Sequence, residues 1–160
     1  MTEPRQPEPK FPFRTSDELD AFLPYLLTRI VHIWSSKLNN ALAGEKLPTP
    51  KLRLLSSLSA YGELTVGQLA SLGVLEQSTA SRTVDQLVDE GFAARSISDQ
   101  DQRKRTVVLT ESGKKKLIEI SPLINDFYAQ LVGDVDQERL SICAAVLDEI
   151  LQNNLKPPHT

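Results

Sequence analysis

Residues 98–113 read SDQDQRKRTVVLTESG, with three consecutive cations, a β-branched run and a helix-start signal inside one short stretch. The segments Phe92–Ile97 and Lys104–Leu109 are both β-rich, and the polar SDQDQR lies between them. Two such runs around a short polar link predict an antiparallel hairpin. Thr110 follows where a helix cap belongs. Charge gathers here: within residues 103–116 six cations stand against one anion. A cationic β-tip attracts an anionic partner whatever the average charge of the chain.

That average is −3 over 160 residues. From Gln77 to Lys116 eight cations face six anions, a net of +2, so the rest carries −5. With 40% hydrophobic and 24% charged residues, the composition is that of one globular unit with a core. Cys143 is the single cysteine, which excludes an internal disulfide or a multi-cysteine zinc site. His32 and His159 are too few for a histidine metal site, and no cofactor is expected. A Gly-rich phosphate loop is absent from the sequence, as is any serine or cysteine set near a histidine by a known motif, so an enzyme is not expected. No run approaches the roughly 18 apolar residues of a membrane span, and MTEPRQPEPK lacks the apolar centre of a signal peptide, so a cytoplasmic protein with no membrane contact is expected.

Outward from the hairpin, the chain reads as helices. Residues 1–14, with Pro4, Pro7, Pro9 and Pro12, form a disordered tail by composition, and residues 156–160 a flexible C-terminus. TSDE at 15–18 has capping-box spacing and starts a helix running to about Ala43, with Pro24 either kinking it or opening its main segment. Leu52, Leu55 and Leu58 predict a short helix ending near Gly62, and TVGQ at 65–68 caps the next. A further helix spans Gln77 to Glu90, with Ala80, Val84, Leu87 and Val88 on one face and Gly91 as its stop. Two short helices joined by a tight turn at residues 73–76 have helix-turn-helix spacing. After the hairpin come a helix with a bend expected at Pro122 and a last helix from Gln137 to Asn154. On that last helix Leu140, Cys143, Ala144, Leu147, Ile150 and Leu151 share a stripe, and Cys143 reads as an inert core residue.

Two patterns carry a resemblance. STASRTVDQLVDEGF at 78–92 is similar to the recognition helix S-T-x-S-R-x-V-D-x-L-x-x-x-G of the MarR family of bacterial transcription regulators. DQRKRTVVLTESG at 101–113 resembles that family's wing, D-x-R-x-x-x-V-x-L-T-x-x-G. The resemblance implies a mainly α fold: a winged helix-turn-helix domain with a small β-hairpin wing over 47–116, and a helical dimerisation region from 15–46 and 117–155. Gly73 falls one position earlier than the family's usual turn glycine, with Leu75 in the apolar slot that follows, so a turn of different geometry is expected.

On the helix face opposite its anchors lie Gln77, Ser78, Thr79, Ser81, Arg82 and Gln86, short polar groups suited to base edges in a major groove. Arg103, Lys104 and Arg105 at the wing suit phosphate, and the resemblance puts Arg103 in the minor groove. Asp101 is expected to orient the wing by pairing with an arginine, Arg103 or Arg82. The expected partners are double-stranded DNA, read at a pseudo-palindrome, and a second copy of the chain, because one recognition helix reads too few base pairs. The resemblance also implies a small aromatic or anionic effector, for which Tyr25, His32, Trp34 and Tyr61 are the candidates, although aromatics at helical spacing also suit a core. A wing that pairs with an acidic protein is the alternative reading of the same surface.

Overall fold

The computed structural model describes residues 11–97 and 105–155. The hairpin tip with Asp101, Arg103 and Lys104, most of the N-terminal tail and residues 156–160 lie outside those described. Helix α1 spans Ser16–Asp20, and the Thr15 hydroxyl accepts from the Glu18 backbone N–H at 3.3 Å. It stops after five residues. Proline has no N–H and its ring clashes with the carbonyl four residues back, here that of Asp20, so no helix runs straight through Pro24. The chain extends at Phe22 and restarts as α2, Leu23–Leu42, with Pro24 in the first turn. Of the two roles open to Pro24, it takes the second.

Helix α3, Thr49–Tyr61, also opens on a first-turn proline and closes at Gly62, whose φ of 78° suits glycine. Helix α4, Val66–Gly73, has the full capping box between Thr65 and Gln68. Helix α5 spans Gln77–Asp89, and strands β1 (Ala93–Ile97) and β2 (Arg105–Leu109) pair antiparallel from Ala93↔Leu109 to Ile97↔Arg105. Leu64 adds a one-residue third strand through two hydrogen bonds with Val107, at 2.8 and 3.1 Å. Helix α6, Glu111–Val132, continues through Pro122. Proline at 122 leaves the Ile118 carbonyl without its helical donor, and the Ser121 hydroxyl donates to it instead at 2.9 Å.

The core is leucine-rich. Leu38 and Leu42 of α2, Leu54, Leu55 and Leu58 of α3, Leu69 of α4, Val84 and Leu87 of α5, Val107 of β2 and Ile120 of α6 are all buried. Each fully buried aliphatic side chain contributes on the order of 1.5–3 kcal/mol. Lys51 is buried as well, but its ammonium meets the Glu90 carboxylate at the C-terminal end of α5. A buried charge requires such a partner.

Contacts divide the chain into two compact units, one through Asn125 and one from Asp126 onward. In the second, α7 (Gln137–Leu155) has no buried residue. Its apolar stripe stays open, with Ile150 38% and Leu151 53% exposed. Cys143 is therefore exposed, not a core residue as its place on that stripe suggested. Periodicity identifies the apolar side of a helix but not whether the same chain covers it.

Candidate nucleic-acid interface

The turn before α5 sets how that helix is presented. Helix α4 ends in a Schellman arrangement, Leu75 N donating to Ala70 O at 2.9 Å and Val74 N to Ser71 O at 3.2 Å. The left-handed residue in it is Val74, φ 52° and ψ 54°, a β-branched residue in a region such side chains disfavour. Gly73 is needed for a different reason: a Cβ there would stand 2.8 Å from Leu54 Cδ2 in the buried contact between α3 and α4. The early glycine thus permits close packing, and the next residue makes the turn.

Helix α5 is two-faced. Ala80, Thr83, Val84 and Leu87 are buried. Gln77, Ser78, Arg82 and Gln86 are exposed, while Thr79 and Ser81 are half-buried at the margin. The Thr83 hydroxyl satisfies itself on Thr79 O at 2.8 Å, and Arg82 Nε donates to Ser78 O at 3.3 Å, laying the guanidinium along the exposed face. The backbone N–H groups of Gln77 and Ser78 open the helix, where such groups are free to meet an anion.

Asp85 on α5 forms an ion pair with Arg95 on β1. It links the exposed face of the helix to the base of the hairpin. Sequence reading missed it, because two charges ten residues apart on different elements leave no periodic trace. Arg105, at the start of β2, is exposed beside that base. Beyond it the 114–116 lysines are largely committed. Lys114 reaches Glu111 at 2.6 Å and holds that carboxyl below the usual carboxylate range, while Lys116 bridges Glu45 at 2.9 Å and Glu119 at 3.1 Å.

Known proteins share this arrangement. The solved structure of a MarR family transcriptional regulator from Silicibacter pomeroyi matches with a TM-score of 0.88 and 74% sequence identity, over 92% of this chain and 98% of that one. The chain belongs to the MarR family. The MarR family model itself matches residues 47–104. A second MarR regulator of Silicibacter pomeroyi is 29% identical with a TM-score of 0.79, covering 92% of this chain and all of that one. The HTH-type transcriptional regulator YwaE of Bacillus subtilis is 26% identical over 100 residues, 62% of this chain and 58% of that relative's length. MarR family members are transcriptional regulators that bind DNA and are not enzymes, and this chain is one of them.

A cavity of about 490 Å³ lies in the first unit of this MarR protein. Its walls include Trp34 and Leu38 of α2, Leu52, Arg53 and Ser57 of α3, and Leu72 of α4. The four effector candidates are not gathered there. His32 is two residues from Trp34, about 200° around the helix, and is exposed. Tyr25 lies under the Arg29 guanidinium at 5.5 Å, and Tyr61, 67% exposed, closes α3. Only Trp34 of the four lines the cavity. Arg53, which sequence reading did not single out, lines it as well.

Proposed function

We propose that this regulator binds pseudo-palindromic duplex DNA as a homodimer, with α5 in the major groove and the hairpin in the adjacent minor groove. The observation that carries this reading is the exposed row Gln77, Ser78, Arg82 and Gln86, fixed to the hairpin base by the Asp85–Arg95 pair. Thr79 and Ser81 flank the row and reach the groove wall. Arg103, Lys104 and Arg105 hold phosphate, and Asp101 orients the wing. Phosphate contacts of this kind position the protein, and base contacts from α5 specify the site. The effector site is the cavity at Trp34, whose volume lies in the range of small-molecule pockets.

Selection of bound sequences from a random duplex pool, followed by salt titration on the selected site, tests the reading. The expected result is an inverted repeat, with affinity falling roughly 10³- to 10⁵-fold between about 50 and 200 mM salt, as for a dimer making about 6 to 10 phosphate contacts. Binding without sequence enrichment, or without salt dependence, would count against it.

A further inference from the structure

Helix α5 carries its charge unevenly. Arg82 stands on its exposed face, and three acids follow toward the C-terminal end: Asp85, Asp89 and, at the C-cap, Glu90. That end of a helix is the negative end of its dipole and favours cations, yet α5 has no basic residue in its last turn. Two of the three acids have a cation of their own, Asp85 from Arg95 and Glu90 from Lys51. Asp89 is exposed, and among the described residues no cation pairs with it. It follows Arg82 by two helical turns, which returns it to within about 20° of the same direction, roughly 10 Å further along the axis. The carboxylate therefore shares the outward row of Ser78, Arg82 and Gln86. An unpaired acid there opposes the helix dipole, neutralises no neighbour and is repelled by phosphate.

An ionised carboxylate accepts hydrogen bonds and donates none. In a major groove the donors it can meet are the amino groups of cytosine and adenine; guanine and thymine present acceptors there. Adenine sets its N7 acceptor beside the amino group, so cytosine is the better partner. We propose that Asp89 is a specificity-determining residue: its carboxylate accepts from a cytosine amino group when α5 is seated on its own site, and repels a duplex that offers none at that position. This rests on α5 entering the major groove. It adds a residue that weakens wrong complexes, beside Ser78, Arg82 and Gln86, which strengthen the right one.

The test is D89A, measured on the selected duplex and on random duplex, with the selection repeated on the variant. Removing one negative charge near the phosphates is expected to tighten random-duplex binding roughly three- to tenfold. The cytosine preference at one position of each half-site disappears, the selected duplex binds no more tightly than before, and the ratio between the two affinities falls accordingly. D89E, which keeps the charge, keeps the weak binding to random duplex. Because Asp89 is exposed at the negative end of the helix, D89A should melt no lower than the wild type; a lower melting temperature would make the residue structural and overturn the proposal. An inverted repeat selected by the wild type and recovered with every base preference intact in D89A overturns it too, while leaving α5 in the major groove. Should the wild type enrich no sequence, the reading of α5 falls and the role of Asp89 with it.

Discussion

Gly113 shows how much one absent methyl group can matter. The Thr110 hydroxyl accepts from Gly113 N at 3.1 Å and donates to Gly91 O at 2.6 Å, drawing the first turn of α6 onto the end of α5. A Cβ on Gly113 would overlap the Phe92 carbonyl oxygen and stand 2.6 Å from Leu109 Cδ1. The first neighbour is backbone, which no rotamer change can move. Gly113→Ala should therefore cost about 3 kcal/mol, at the upper end of ordinary overpacking, and lower the melting temperature by roughly 6–12 °C. A calorimetric melt within a degree or two of wild type would mean that the start of α6 can lift away from β2. Read as sequence, this glycine is only the last letter of the wing pattern. Its contact with the carbonyl of Phe92, 21 residues earlier, is invisible in the chain order.

Among elements, those with a strong internal period or a complete cap were legible. The Thr65–Gln68 capping box, the Ala80–Val84–Leu87 face of α5 and the paired strands all follow from local spacing. What was not legible joins one element to another. The Leu64–Val107 bridge is one residue long and has no period to read, and the Arg53 hold on Gly73 spans 20 residues. Lys116 is a further case, since its run of lysines suggests a solvated face. Its ammonium instead links α6 to Glu45 in the α2–α3 loop, and its side chain is 14% exposed. The hydrogen bond to Glu45 is the main cause that raises its pKa above the ordinary 10.5; burial opposes the rise and Glu119 adds to it. A value raised in the folded state gives stabilisation that is fully present below pH 10.5 and is lost as pH climbs through the folded value. Lys116→Met should thus cost about 1 kcal/mol at neutral pH, with the gap to wild type constant up to pH 10 and closing above 10.5. Urea midpoints of both proteins across that range would decide it, and a gap that persists undiminished at pH 12 would exclude the ion pair as its source.

At the level of the whole molecule, α7 has too little to hold it as a single chain. A 19-residue helix in water is marginal unless an apolar face is covered, and none of its residues is buried. On α2, in the other unit, Ile30, Val31 and Ile33 are likewise 46–55% exposed. Exposed apolar rows of this length mark interfaces, and in the homodimer proposed above a second copy would cover them and supply a second α5 about 34 Å away for the next turn of the duplex. Ile142→Asp, on the exposed row Ile142, Val146 and Ile150 of α7, should then shift the protein from twice the chain mass to 17.8 kDa in sedimentation at micromolar concentration. Duplex affinity should fall at least a hundredfold with it, because one recognition helix loses the contacts of the other. The neighbouring Cys143 gives a second reading of the same event: its thiol should react slowly with a maleimide in the wild-type dimer and quickly in Ile142→Asp. A variant that keeps the dimer mass and the slow thiol would place the subunit contact away from α7, and the open stripe of that helix would then need a different partner.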